Sequence, residues 1–466
     1  MRNPDASTVP LVCSLTGTLL KTDLVSERRI QKLKNTIEGL LSSSLDLKRL
    51  QLEQSAKDQA GSALPLNEPL LEFLREEKKS GRKLVLLTAE SPECASEMLG
   101  NDHQLFDETI DCRSANELVS KFGEKNYDYI GDSSTSSEIW HGANKRFVVA
   151  ADDTTAKKLS ADGMSVSRQF AKGNSLNLKS GTRALRTYQW LKNLLVFVPI
   201  ITSQQLDDAN ALRNSIIMFI CFSLIASFGY LVNDLLDLAS DRAHPKKRHR
   251  PLASGNLSIR HGVLIGAALL VITAVLCLML PGPATIVLIG YLFLTISYSL
   301  YLKTKLMIDV VALGILFTLR VIGGAAAIET ELSFYLLSFS IFIFSSLGMV
   351  KRFAELHNLQ SRNQLIARGR SYRVEDMAPV RIIGISLGYM SVFIMGLYIN
   401  SPVVTQYYDH PKFIWFLFPL LTYWLGRLWI LANRGEVNED PLIFAMKDKT
   451  SLLVVGLSAV ILLIAN

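Results

Sequence analysis

Asn233-Asp-Leu-Leu-Asp-Leu-Ala-Ser-Asp241 follows directly on an apolar run, and the densely basic His244-Pro-Lys-Lys-Arg-His-Arg-Pro251 comes next. Asp234, Asp237 and Asp241 stand at i, i+3 and i+7, so one continuous helix would carry them on one face. Three carboxylates stacked in this way repel one another unless a cation lies among them. Hard oxygen ligands at that density suit Mg²⁺, and Mg²⁺ favours a phosphate or diphosphate ligand. With the neutral amide of Asn233 added, the expected metal ligands are Asn233, Asp234, Asp237 and Asp241. The competing reading is a solvated helix end salt-bridged to Arg242 or Lys246. Mutual repulsion weighs against it, since neighbouring carboxylates would raise one another's pKa without a cation. Where an apolar helix meets water such a cluster is costly, which marks it as functional.

Outward from this stretch, the 466-residue chain divides near Lys179 into a mixed, polar first part and a strongly apolar second part. Nine segments approach the ~20 apolar residues that cross a bilayer: 188–205, 213–232, 261–280, 283–301, 307–328, 333–350, 380–400, 411–431 and 450–465. Trp190, Lys192 and Asn193 make the first amphipathic. The net charge of +7 is placed unevenly. Arg242, Lys246, Lys247, Arg248, Arg250 and Arg260 fill one connection; Lys351, Arg352, Arg362, Arg368, Arg370, Arg373 and Arg381 fill another. Lys303 and Lys305 follow the fourth segment, and Arg434, Lys447 and Lys449 the eighth. The alternate connections hold almost no Lys or Arg. The positive-inside bias therefore puts the N-terminus and every basic connection in the cytosol, in an integral protein of the inner (plasma) membrane. No nucleic-acid partner is expected, the partners being the bilayer and membrane-borne or phosphorylated small molecules; a homo-oligomer is left open. Met1 to Ser7 leads into no signal-peptide core, which agrees with a cytosolic start. Cys13, Cys94, Cys112, Cys221 and Cys277 form no CxxC pair and imply neither a disulfide framework nor a zinc site.

The first part reads as alternating strands and helices. Strands are expected at residues 9–20, 83–88, 127–133 and 147–150, giving a doubly wound α/β domain over 1–165. A Ser-, Gly-, Asn- and Lys-rich linker over 166–182 then leads to the membrane domain, 183–466. The order of these pieces resembles the haloacid-dehalogenase-like phosphatases. That family's first motif, Asp-x-Asp-Gly-Thr-Leu, corresponds to Ser14-Leu-Thr16-Gly-Thr-Leu19. Thr88 matches its second motif, Lys121 is the candidate for its lysine, and Gly131-Asp132-Ser133 matches the start of its last motif, whose second acid falls on Ser136. Without the strand-end carboxylates a neutral serine has no base to make it a nucleophile. The resemblance implies a degenerate domain that regulates, docks or stabilises.

Asn233-Asp-x-x-Asp237-x-x-x-Asp241, Arg242 and His244-Pro-Lys-Lys-Arg-x-Arg-Pro-x-x-Ser-Gly255 together resemble the signature of the UbiA-type intramembrane prenyltransferases, an all-α membrane fold of nine transmembrane helices. Within that superfamily Arg186-Thr-Tyr-Gln-Trp-Leu-Lys-Asn193, Tyr298-Ser-Leu-Tyr-Leu-Lys303 with Asp309, Arg320 and Gly323, and Lys351-Arg352-Phe-Ala-Glu355-Leu resemble the polyprenyl-phosphate (decaprenyl-phosphate) phosphoribosyltransferases. Common prenyltransferases carry a second Asp pair, DxxxD; here Asp309 stands alone, with Lys305 before it and Leu313 after.

The resemblance implies a Mg²⁺-dependent transfer of a phosphoribosyl group from phosphoribosyl diphosphate to a polyprenyl phosphate. Asp234, Asp237 and Asp241 would hold the diphosphate through the metal. Lys192, Asn193, Lys246, Lys247, Arg248, Arg250, Tyr298, Lys303, Asp309, Arg320, Lys351 and Arg352 are the candidate substrate-binding residues. For single loop cations, topology and lipid headgroups explain the charge equally well, and Tyr298 is as well explained by packing. Mid-segment Arg320 needs a partner, for which Asp309 and Glu355 are the nearest candidates. Asp440 and Asp448 in the last connection either close over the site or cap a surface loop. Two other functions stay open: prenyl transfer from a prenyl diphosphate to an aromatic or other small acceptor, and a non-enzymatic transporter or scaffold.

Overall fold

Leu-Val-Cys-Ser at 11–14 and Leu-Val-Leu-Leu-Thr at 84–88 are apolar on both alternating faces, the pattern of strands covered on two sides. In the computed structural model they are neighbours in a six-stranded parallel sheet. The structure describes residues 9–41, 64–111, 115–150, 153–172, 178–244, 246–362, 371–402, 404, 408–437 and 440–465. Cys112, Arg368, Arg370, residues 1–7 and part of the expected linker lie outside the described residues.

The strands are β1 (Leu11–Ser14), β2 (Leu84–Thr88), β3 (Glu108–Asp111), β4 (Asp128–Gly131), β5 (Arg146–Ala150) and β6 (Arg168–Ala171), in the order β3-β2-β1-β4-β5-β6. Helices α1 (Leu24–Leu41), α2 (Glu68–Lys79), α3 (Pro92–Leu99), α4 (Ala115–Phe122), α5 (Ser137–Gly142), α6 (Thr154–Ala161) and α7 (Leu178–Leu185) accompany them. The period-two alternation of a strand sorts the core into two layers. Leu11, Cys13, Leu84, Leu86 and Ile130 pack on one face, and Val12, Val85, Leu87, Tyr129 and Val148 on the other. The doubly wound α/β expectation holds as a parallel sheet, with two strands that sequence alone did not reveal. β3, Glu-Thr-Ile-Asp, is only partly buried and lacks an apolar run. β6 lies inside the stretch expected to be a linker; in Arg-Gln-Phe-Ala only Phe170 is buried. The first strand is also shorter than expected, because the chain turns after Ser14 and Gly17 sits at φ +79.

Strand order reverses between β1 and β4, which places a crevice at their carboxyl ends. Gly17 is required there: a Cβ on it would run into the Asp132 carboxylate. At the opposite strand ends Arg82 pairs with Asp128, both almost fully buried, and Asp128 also accepts from Asn144 and from the Lys145 amide.

Two compact units divide the chain, Met1–Leu185 with Leu231–Gly266, and Arg186–Tyr230 with Ala267–Asn466. Among the described residues seven helices are long and apolar enough to cross a membrane, or eight if one bent pair counts as a span. After the short α8 (Val198–Thr202) they run as α9 (Ala209–Leu236), then, past α10 (Leu238–Ala243), α11 (Ile259–Cys277), α12 (Gly282–Leu300), α13 (Ile308–Ala327), α14 (Phe334–Gln360), α15 (Met377–Ile399) and α16 (Leu417–Asn433). The bent pair is α17 (Pro441–Lys447) with α18 (Lys449–Ala465), meeting at 80°.

Among the described residues the nine expected spans thus appear as seven or eight helices of sufficient length and apolarity. The first expected span, 188–205, is a 3₁₀ stretch over Thr187–Phe197 followed by α8. Its polar side chains explain this, because each takes a protein partner rather than facing lipid. Trp190 donates to Ser227, Asn193 to Ser223, and Lys192 pairs with Asp440. Gly324 lets α13 approach this stretch so closely that a Cβ would overlap the carbonyl oxygen of Val196.

Candidate active site

The aspartates do not share one face of a continuous helix, as the spacing had predicted. Helix α9 ends at Leu236, and Asp237, at φ −97° and ψ 11°, starts the separate turn α10. Short polar side chains compete for local backbone groups and favour such breaks: Ser240 Oγ donates to the Asp237 carbonyl at 2.9 Å. The break nevertheless brings two of the three carboxylates together. Arg250 Nη1 lies 3.0 Å from Asp234 Oδ1 and 2.6 Å from Asp241 Oδ2. Asp234 and Asp241 are buried. Asp237 accepts from the Asn233 amide at 3.0 Å. Burial pushes the Asp241 carboxyl up to about 6; Arg250 pulls against that shift, while Asp234 and Asp237 add to it. A single cationic nitrogen thus stands where two buried carboxylates converge, and the donor set is all oxygen and hard.

Among the described residues no three His, Cys, Asp or Glu side chains are already arranged around one point as metal ligands. In this arrangement Arg250 supplies the positive charge. The residues fit a hard divalent cation in chemistry and in the convergence of Asp234 with Asp241, and Arg250 would have to yield its place. Of the other loop cations, Lys246, Lys247 and Arg248 are exposed beside a short 3₁₀ turn, Lys247–His249, with their side chains toward solvent.

In the second unit the candidate residues form three polar groups. Arg320, buried in α13, finds neither of the partners expected for it. Its Nε donates to Asn193 Oδ1 at 2.7 Å and its Nη2 to the Tyr291 hydroxyl at 2.7 Å. Nη1 donates to the Leu316 carbonyl, and the guanidinium lies against the rings of Tyr291, Phe317 and Phe222. Asn193 completes the chain to Ser223.

Asp309 belongs instead to Arg352. The Arg352 Nε lies 2.7 Å from Asp309 Oδ2 with both side chains essentially inaccessible, and the Tyr372 hydroxyl donates to Asp309 Oδ1 at 2.8 Å. Arg352 also pairs with Glu355 and donates to the Tyr298 hydroxyl at 3.2 Å. Three candidates, Tyr298, Asp309 and Arg352, are therefore bound to one another. Helix α14 extends about ten residues beyond its expected apolar end, which is how Arg352 and Glu355 come to share it.

Lys192 pairs with Asp440, which also caps α17 by accepting from the Ile443 amide at 3.3 Å. Burial draws the Lys192 ammonium down to about 8; Asp440 opposes this and Lys351 reinforces it. Burial would raise Asp440, but Lys192 and Lys351 hold it below the usual carboxylate range. Asp448 takes Arg427 through both oxygens, at 2.6 and 3.0 Å. Lys303, on a 3₁₀ turn, and Lys351 are half-buried.

In the α/β domain, Ser14 and Thr88 end β1 and β2, and Asp132 follows β4. Lys121, the expected lysine, is on α4 and pairs with Glu108. Lys172, just past β6, reaches Asp132 Oδ2 at 2.8 Å. Sequence reasoning missed Lys172 because β6 itself was missed. Tyr291 and Tyr372 were missed too, since a tyrosine in an apolar helix or a basic loop gives no signal of its partner.

Residues 196–447, more than half of the chain, match the UbiA prenyltransferase family, and the chain belongs to that family. It is 32% identical over 468 residues to the uncharacterized protein y4nM of Sinorhizobium fredii, covering 97% of this chain and 90% of that one. It is 32% identical over 278 residues to the nodulation protein NoeC of Azorhizobium caulinodans, covering 59% of this chain and 90% of that protein. With the decaprenyl-phosphate phosphoribosyltransferase of Mycolicibacterium smegmatis it shares 34% identity over 205 residues, which span 42% of this chain and 64% of the relative.

Proposed function

We propose that the protein is a membrane-embedded, Mg²⁺-dependent phosphoribosyltransferase that uses phosphoribosyl diphosphate as donor and a polyprenyl phosphate as acceptor. The observation that carries this reading is the convergence of buried Asp234 and Asp241 on one cationic nitrogen. The similarity to a decaprenyl-phosphate phosphoribosyltransferase supports the choice of phosphoribosyl group and polyprenyl-phosphate acceptor. In this reading Asn233, Asp234, Asp237 and Asp241 hold the metal. Bound there, Mg²⁺ would neutralise the diphosphate and make it a better leaving group.

The acceptor's phosphate oxygen forms the new bond to ribose C1 as the bond from C1 to the diphosphate oxygen breaks. The acceptor is already anionic, so no strong general base is required of the chain. Arg250, freed from the carboxylates, and Arg248 are suited to grip phosphate with their planar forks, and Lys246 and Lys247 in the same connection to attract it as point charges. Lys192, Lys351 and Lys303 are the second unit's candidates for an anionic ligand. Asn193 and Tyr291 hold the Arg320 guanidinium in place, whereas Asp309, Arg352 and Tyr298 act as a structural clamp. The basic connections and the α/β domain are cytosolic, in a chain of the plasma membrane.

Prenyl transfer onto a small acceptor is the second reading, favoured by the family's own description. Against it stands Asp309, a lone carboxylate already held by Arg352 and Tyr372 where a second acidic pair would be needed. The α/β domain is read as a degenerate haloacid-dehalogenase-like domain without hydrolytic activity. Ser14 and Thr16 provide no carboxylate, and Asp132 is held by Lys172 and Ser134. The deciding experiment offers purified protein, with Mg²⁺ and a short polyprenyl phosphate, radiolabelled phosphoribosyl diphosphate or prenyl diphosphate in parallel. Consumption of the first supports the reading; consumption of the second alone replaces it.

A further inference from the structure

The connection from Arg242 to Arg260 is fastened to the beginning of the α/β domain within one compact unit. Glu27, in the first turn of α1, takes Arg242 through both carboxylate oxygens, Nη2 to Oε1 at 2.5 Å and Nη1 to Oε2 at 3.3 Å. The Arg242 and Glu27 side chains are 7% and 16% exposed, so this pair is shielded from water. Arg242 Nε donates to the Ala253 carbonyl at 3.2 Å, and one guanidinium thus ties Glu27 to both ends of the loop that contains Arg250. Gly255, at φ +70°, lies so near the domain that a Cβ would come within 2.8 Å of Lys21 Cβ and 3.1 Å of Pro65 Cγ. A second ion pair, Arg260 with Asp23 at 2.8 Å, is by contrast exposed on its arginine side.

We propose that Glu27 is a positioning residue, and that the α/β domain serves as a clamp that sets the Arg250 loop against Asp234 and Asp241. Glu27 touches no reacting group. It fixes Arg242, Arg242 fixes Ala253, and the loop between them keeps Arg250 beside the two carboxylates, within reach of a phosphate group bound there. This gives a domain without strand-end carboxylates a reason to be fused to a membrane transferase. The loop next to the aspartates is a short irregular segment, and such segments hold one conformation only when something rigid supports them. The proposal rests on the phosphoribosyl-transfer reading for its kinetic consequence but not for its structural one.

The test is a double-mutant cycle of Glu27→Gln and Arg242→Met on the whole chain, with Arg260→Gln as control, read by hydrogen exchange and by donor kinetics. Loss of a half-buried, bidentate charge-assisted pair predicts about a tenfold rise in exchange at residues 246–258 in either single variant, with strand amides unchanged. It predicts a similar rise, about tenfold, in KM for phosphoribosyl diphosphate with kcat changed less than about twofold. The double variant should be no worse than Arg242→Met alone, because the two residues act through one contact. Arg260→Gln should change either readout by less than about twofold. Unchanged loop exchange in Glu27→Gln, or effects of the two variants that simply multiply, would overturn the clamp. If the wild-type protein consumes no phosphoribosyl diphosphate, the functional reading falls, and the exchange arm still decides the clamp.

Discussion

Asp309 and Arg352 form a fully buried ion pair at 2.7 Å, and a tyrosine hydroxyl, that of Tyr372, completes the carboxylate's coordination from the other side. A carboxylate held in this way is neutralised by the chain itself. Its position in the sequence resembles the second acidic motif of the common prenyltransferases, yet here the carboxylate is part of a structural ion pair.

Removing one partner of that pair leaves a buried uncompensated charge. Arg352→Ala should lower stability by about 3–5 kcal/mol, whereas replacing both Asp309 and Arg352 with leucine should recover most of the loss. Thermal unfolding of the detergent-solubilised variants measures both.

A similar penalty is expected in the α/β domain, where Arg82 and Asp128 are almost wholly buried. Arg82→Ala should cost about 3–5 kcal/mol. Proteolytic susceptibility of the sheet domain in the intact chain should rise accordingly.

Lys192 links charge to pH. Burial holds its pKa down to about 8, so its ammonium persists at neutral pH and is lost above that value. Affinity for a phosphorylated substrate should therefore weaken as pH rises past about 8, and Lys192→Arg, always charged, should abolish that upper limb. The folding contribution has the sign of any depressed pKa: full above the unfolded lysine value and lost as pH falls through about 8. KM measured across that range, for wild type and Lys192→Arg, checks the functional half.

Ser14→Asp should not create a phosphatase. Thr16 and Ser136 also lack acids, and Lys172 already occupies Asp132. A chromogenic phosphomonoester assay should give background rates for both proteins; robust hydrolysis by the natural chain would show the domain to be an enzyme.

Most of the architecture was legible because it rests on long-range regularities of composition. Apolar segments of membrane length gave α9 and α11 to α16 to within a few residues at most ends, and buried strands gave β1, β2, β4 and β5. What failed was decided by side-chain partners that composition does not carry. Lys192 and Asn193 look like a polar start to a span until Asp440, Ser223 and Arg320 are seen to hold them in a 3₁₀ stretch. Asp237 has helical spacing, yet it breaks the helix it was expected to continue. Arg320 was legible as a costly mid-segment charge, but its partners were not, because Asn193 and Tyr291 are distant in sequence and neutral; Arg352 read as a loop cation, and its burial against Asp309 came only with the longer helix α14. The Glu27–Arg242 contact joins residues 215 positions apart, and nothing local announces it.

The proposed transfer depends on a divalent cation held by Asp234, Asp237 and Asp241. Mn²⁺ binding to the purified chain, followed by electron paramagnetic resonance with and without saturating phosphoribosyl diphosphate, tests it most directly. Binding should be saturable, tighten with the donor, fall at least about tenfold in Asp234→Ala and Asp237→Ala, and survive in Asp309→Asn. Absence of bound ion under saturating donor, or binding indifferent to Asp234 and Asp237, would contradict it.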